Sequence, residues 1–132
     1  MNITGAALIE RFEEGKTPAE TFHHADQVRL AYEYLCRYPA LEALRRFADA
    51  LQRFAAAQGK AERYHETITW AYLLLIRERL ARAGEGQSWE EFSRHNPDLF
   101  IWNGGVLATL YRRETLESDL ARHTFVLPDR CG

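Results

Sequence analysis

One apolar stretch decides the fold, and it runs from Tyr64 to Ile76 with the sequence YHETITWAYLLLI. Leu73 to Ile76 place apolar side chains around a full helical turn, which is typical of a buried helix rather than a surface one. We therefore expect this stretch to form the central helix of a small bundle. Its first turn carries His65, Glu66 and Thr67, so we expect these polar residues either to cap the helix or to build a site.

Two further long helices are predicted before the central one. A capping box that begins at Thr17 starts the first of them. This helix either runs unbroken, or a short turn precedes a second start near Thr21 or Asp26, both acceptable capping residues. It ends before Pro39, because the residue before a proline avoids helical torsions. The three long helices are predicted at about 18–38, 40–58 and 61–83, and glycines are expected to end the second at Gly59 and the third at Gly84 and Gly86.

The remainder of the chain predicts several short helices and an extended C-terminal tail. Ser88 begins a capping box for a helix that reaches about His95. Thr115 is predicted to cap a last helix that reaches about His123, and the tail begins at Phe125. No stretch is predicted as a strand. The sequence therefore predicts an all-α, single-domain helical bundle over residues 1–132.

Composition and charge restrict the class of protein. The 132 residues are 46% hydrophobic and 27% charged, which is the balance of a folded globular chain. The net charge is −2 and the pI is about 6.2, so nucleic acid is not an expected partner. Cys36 falls inside a predicted helix and Cys131 is next to last, so we expect no disulfide framework.

Membrane insertion and secretion are not expected either. The first fifteen residues carry acidic side chains and lack a long apolar core, unlike a signal peptide. The apolar run at 70–76 is too short to span a bilayer. We therefore expect a cytoplasmic protein that does not bind membranes.

Two histidines are the strongest functional candidates. Short loops make successive helices antiparallel, so the helices that begin near His24 and His65 are predicted to point the same way. Each histidine shares a helix face with apolar residues, which predicts that both side chains point inward at the same end of the bundle. A neutral, inward histidine at a helix N-terminus is a suitable general base or metal ligand.

The predicted site has named roles. His65 is the general base or ligand, Glu66 is its orienting or acidic partner, and His24 is the second base or donor. A hydrolytic, isomerising or proton-transfer reaction fits this set. The residues predicted to bind the ligand are Asp26, Arg29, Tyr32, Thr67, Thr69, Trp70 and Tyr72.

A divalent metal is an alternative that the sequence leaves open. His65 and Glu66 open the zinc-protease pattern H-E-x-x-H, but Thr69 occupies the position of the second histidine, so that motif is absent. Two Glu-x-x-His spacings occur, and the other carboxylates of a di-iron bundle cannot be placed. If a metal binds, its ligands are predicted to be His24, His65 and Glu66.

The sequence supports two functions of different classes. The first is the binding, and the transformation, of a small polar molecule at the site where the helices of His24 and His65 begin. The second is a non-catalytic interaction or oligomerisation module, including a homo-oligomer, in which the histidines are structural. An exposed apolar patch would favour the second function, and its candidate residues are Trp89, Phe92, Phe100 and Trp102.

Overall fold

The computed structural model describes residues 4–84 and 86–130. This part of the chain is 71% helical, contains eight α-helices and has no strand, which confirms the all-α fold. Short 3-10 turns lie at Ala19–Thr21, Ala61–Arg63 and Pro97–Phe100. The α-helices are α1 (Gly5–Glu13), α2 (His24–Arg37), α3 (Ala40–Ala57), α4 (Glu66–Ala83), α5 (Trp89–His95), α6 (Val106–Leu110), α7 (Arg113–Leu116) and α8 (Asp119–His123).

The three long helices are confirmed as α2, α3 and α4, but α2 begins later than the predicted bound of 18. Thr17 does not cap a helix there, because Pro18 has an extended backbone and only a 3-10 turn follows it. The Asp26 carboxylate instead accepts the backbone N–H of His23 at 2.9 Å and starts α2. The short turn with a second start is therefore the alternative that the structure adopts.

Helix α4 also begins later than predicted, at Glu66 rather than near Ala61. The His65 side chain is its N-cap, so the chain before it forms a separate 3-10 turn. Past the helix ends, Gly59 and Gly84 have positive φ values of 69° and 86°, which disfavour residues with a side chain. These glycines therefore end α3 and α4 as the sequence predicts.

The chain divides into two compact units, which meet in sequence between Tyr64 and His65. In the N-terminal unit α2 packs against both α1 and α3. Three phenylalanine rings, Phe12, Phe22 and Phe54, lie in mutual contact, with centroids 4.8 to 4.9 Å apart. Through these rings, α1 and the segment before α2 pack against the C-terminal half of α3, and the aromatic contacts stabilise this packing.

In the C-terminal unit α4 packs against α8. Leu73 and Ile76 of α4 are fully buried, but Leu75 is only half-buried and Leu74 is 39% exposed. The expectation that α4 is buried on every side is therefore wrong at Leu74, which faces solvent. The other fully buried large side chains of this unit are Phe92, Leu99 and Tyr111.

The extended tail lies along the short helices of the C-terminal unit. The Tyr111 hydroxyl donates to the Val126 carbonyl at 2.6 Å. The Asp129 carboxylate accepts the backbone N–H of Arg112 at 2.9 Å and the hydroxyl of Thr115. Because Thr115 lies inside α7, the predicted last helix is in fact two helices, and Ser118 caps the second of them.

The predicted capping box at Ser88 is confirmed. The Glu91 N–H donates to the Ser88 hydroxyl at 3.1 Å, and the Ser88 N–H donates to the Glu91 carboxylate at 3.2 Å. Among the described residues, no helix combines the length and apolar character that crossing a membrane requires.

Candidate functional site

Both ring nitrogens of His65 are engaged within the C-terminal unit. Its Nδ1 accepts the backbone N–H of Ile68 at 3.1 Å, and its Nε2 lies 2.7 Å from the carbonyl oxygen of Leu116. A backbone N–H can only donate and a carbonyl can only accept, so the proton resides on Nε2. His65 is thus a neutral imidazole that caps α4 and holds the segment before α8.

The environment of His65 keeps it neutral. Partial burial lowers the pKa of the imidazole below its ordinary value, and the nearby Arg122 and His123 act in the same direction. The hydrogen bond to Leu116 opposes this shift but is the smaller effect. Both ring nitrogens are thus hydrogen-bonded within the unit, and the predicted role of His65 as a general base or metal ligand stays a prediction.

Thr67 is likewise a structural contact. Its side chain is fully buried, and its hydroxyl donates to the Thr124 carbonyl at 2.7 Å while accepting the Val126 N–H at 3.0 Å. Trp70 stacks on Phe125 of the same tail segment, with centroids 5.1 Å apart. Thr67 and Trp70, two of the residues predicted to bind a ligand, therefore contact the C-terminal tail.

The remaining predicted residues of α4 have different surroundings. Glu66 is half-buried in the first turn, and Thr69 is buried. Tyr72 is buried and stacks on Trp102 at 6.4 Å. Burial, with a smaller contribution from the Asp98 carboxylate, raises the pKa of Tyr72 to about 12, so this phenol is neutral near pH 7.

The predicted residues of the N-terminal unit lie at the start of α2 or further along it. His24 is the first residue of α2 and is half-buried. Arg29 donates from Nε to Glu33 at 3.2 Å, and Tyr32 is buried. Because His24 and His65 belong to different units, the predicted pairing of the two histidines stays a prediction.

Two ionic groups were missed by the sequence analysis. Glu33 is only 5% exposed, and its carboxylate lies between Arg29 and Arg37, whose Nη1 atom approaches it at 2.7 Å. In the other unit, the Arg79 guanidinium makes a two-point contact with Asp98 at 2.7 and 2.9 Å. The i, i+4 spacing of Glu33 and its two arginines was the available signal, since such positions face each other on a helix.

The Arg79 contact favours the ionised form of Asp98, since its hydrogen bonds lower the pKa of this carboxyl below the ordinary value. The Nη1 atom of Arg79 also donates to the side-chain oxygen of Asn96 at 2.9 Å. The asparagine in turn donates to the Phe92 carbonyl at 2.8 Å, so this group ties α4 to the end of α5.

A cavity of about 180 Å³ lies in the N-terminal unit, beside the start of α2. Its apolar walls include Phe12 and Phe22 of the aromatic cluster, and its charged lining residues are Arg11 and Asp26. Asp26 is the one predicted site residue among those that line it. The complete lining is Leu8, Arg11, Phe12, Thr17, Pro18, Thr21, Phe22, Asp26 and Leu30.

Within residues 4–84 and 86–130, no three His, Cys, Asp or Glu side chains are grouped as a metal site requires. Cys36 is exposed, and Cys131 lies outside the described residues. Comparison with protein-family models, with curated proteins and with solved structures finds no match to this chain.

Proposed function

We propose that this chain is a non-catalytic binding protein that takes one small, largely apolar molecule in the cavity of its N-terminal unit. The observation that carries the proposal is this cavity, a concavity with largely apolar walls that is open to solvent on one side, as ligand sites commonly are. It is walled by Leu8, Phe12, Phe22 and Leu30 and retains a volume of about 180 Å³.

The volume restricts the size of the ligand. An apolar protein cavity of roughly 150 Å³ accommodates a benzene-sized molecule. The cavity is also smaller than the roughly 300–1,000 Å³ of sites that hold drug-sized ligands. We therefore expect a single ring or a short branched chain, with its polar group directed at the charged lining residues.

The engagement of both His65 nitrogens supports a binding role over a catalytic one. A general base needs a lone pair within reach of a substrate proton, and this histidine uses its lone pair to cap α4. The reaction proposed for His65, Glu66 and His24 would require that cap to open. Binding alone requires no such change.

Titration of the ¹⁵N-labelled chain with benzyl alcohol tests the proposal. We expect saturable shifts confined to backbone amides around the cavity. Leu8→Trp should abolish them, because the larger side chain fills the cavity. Leu41→Trp is the matched control, since this leucine of α3 is 83% exposed. Shifts that are scattered, do not saturate or survive Leu8→Trp would overturn the proposal.

The interaction module remains the second candidate, and one observation favours it. Ile101 and the adjacent Trp102 are each 52% exposed, whereas Phe92 is fully buried and Trp89 and Phe100 are half-buried. Of the four residues in the apolar patch predicted from the sequence, only Trp102 is exposed, and the exposed Ile101 precedes it in the chain. Sedimentation of the titration samples distinguishes the candidates, because self-association through these residues would make the mass depend on concentration.

A further inference from the structure

We propose that the molecule taken by the cavity is a monocarboxylate whose charged group is bound by Arg11 at the cavity mouth. This inference rests on the proposed function and names the chemical class of the ligand. It starts from the two charged residues that line the cavity, Arg11 and Asp26, because an apolar ligand of this size meets no other formal charge there.

Arg11 is the uncommitted charge of the two. It lies in the last turn of α1 with an exposed side chain, and that side chain makes no ion pair or hydrogen bond with any described residue. The nearby Glu14 is paired with Lys16 at 3.0 Å. A ligand carboxylate can therefore bind Arg11 without displacing an existing partner.

Asp26 is already committed to the fold. One of its carboxylate oxygens accepts the His23 N–H at 2.9 Å, in the first turn of the 14-residue helix α2. The positive end of the helix dipole stabilises a carboxylate in this position, so part of its field is compensated. An ammonium group bound to Asp26 would face the same positive helix end, which makes a cationic ligand the less favoured class.

The geometry of the two partners matches. A guanidinium group presents two parallel N–H donors, which match the two oxygens of a carboxylate. Thr17 also lines the cavity and carries a hydroxyl that can donate to a second oxygen. Thr21 is less suited, because its hydroxyl already donates to the Pro18 carbonyl at 3.2 Å. The ligand class is thus a carboxylate on one ring or on a short branched chain.

Three probes with the same ring test the charge. Benzoate, benzyl alcohol and benzylammonium are titrated separately into the full chain near neutral pH, and the dissociation constants are compared. We expect benzoate to bind roughly fivefold more tightly than benzyl alcohol, the ratio that corresponds to about 1 kcal/mol for an ion pair at an exposed site. Added salt should weaken benzoate binding and leave benzyl alcohol binding unchanged.

Arg11→Gln provides the residue-specific arm. This variant should reduce benzoate affinity to that of benzyl alcohol while the alcohol binds as before. Arg63→Gln is the matched control, because Arg63 is another exposed arginine of the same unit that makes no ion pair with a described residue and does not line the cavity. It should change neither affinity.

The outcomes separate the two proposals. Equal binding of benzoate and benzyl alcohol, or benzoate binding that survives Arg11→Gln, overturns the carboxylate inference and leaves the binding function intact. Tightest binding of benzylammonium also overturns it and assigns the ligand class to Asp26. If none of the three probes binds, the proposed function fails and the inference fails with it.

Discussion

At the scale of single residues, the start of α4 shows why polar residues on an apolar helix need not form a site. His65 and Thr67 together make four hydrogen bonds, and each of these has a backbone N–H or carbonyl as the partner. The bonds to Leu116 and Thr124 cross 51 and 57 residues. Every residue carries a carbonyl, so no sequence signal distinguishes these partners.

The pH dependence of stability should reveal the role of His65. In the unfolded chain its pKa is about 6.5, and in the folded chain burial lowers it. Above pH 6.5 both states are neutral at this residue, so its contribution is fully present. As the pH falls below 6.5 toward the lowered pKa, the unfolded state takes up the proton more readily and stability is lost.

His65→Asn isolates this contribution, because asparagine can still accept a hydrogen bond at the N-cap but does not titrate. We expect the urea midpoint of the wild type to fall more than that of the variant between about pH 7.5 and pH 5.5. Thr4→Asn, which changes the N-cap of α1 without removing a titrating group, is the control and should retain the wild-type slope. Parallel slopes for wild type and His65→Asn would contradict the capping role.

At the scale of helices, the sequence predicts which segments are helical but misses where two of them start. The stop signals at Pro39, Gly59 and Gly84 act locally, and the structure confirms them. The start at Thr17 fails because Phe22, four residues after Pro18, joins the aromatic cluster with Phe12 and Phe54. That tertiary contact holds the segment outside α2, and periodicity alone does not report it.

Where α1 packs against α2, we expect a glycine-to-alanine substitution to destabilise the protein, although this substitution usually stabilises a helix. A Cβ atom added at Gly5 would collide with the Glu33 carboxylate, which is buried and fixed by Arg37. Alanine normally stabilises a helix relative to glycine. Here we expect Gly5→Ala to lower the free energy of unfolding by about 1–3 kcal/mol, because the buried Glu33 carboxylate must move away from its hydrogen bonds to Arg29 and Arg37.

Denaturant unfolding measures this effect, with Ala6→Gly as the comparison. Ala6 is exposed in the same turn of α1, so its replacement should cost only the difference in helix propensity, at most about 1 kcal/mol. A Gly5→Ala variant that is more stable than the wild type would show that α1 does not rest on Glu33.

At the scale of the whole molecule, the sequence predicts a single domain over residues 1–132, and the structure divides this chain into two compact units. Composition and length gave no sign of a boundary near Tyr64, because no linker-like sequence separates α3 from α4 and only a 3-10 turn lies there. Each unit is stabilised by its own long-range contacts. These are the phenylalanine cluster in the first unit and the tail bound by Thr67 and Tyr111 in the second.

Expression of residues 1–64 and 65–132 as separate chains tests whether the units are independent. We expect each to be helical by circular dichroism. Each should also be only marginally stable, since a domain of about 60 residues buries only about 60% of its unfolded surface. A chain of residues 1–51 is the control and should lose cooperative unfolding, because it lacks Phe54 and so disrupts the aromatic cluster. If neither half folds, the prediction of one domain stands.

Ligand binding extends the same experiment to function. Every residue that lines the cavity lies between Leu8 and Leu30, so the complete site is contained in the first fragment. Provided that residues 1–64 are folded, they should bind benzyl alcohol with the affinity of the full chain, and residues 65–132 should not bind it. Binding by the full chain but not by the folded first fragment would mean that residues beyond Tyr64 contribute to recognition, and the cavity as described would not be the whole site.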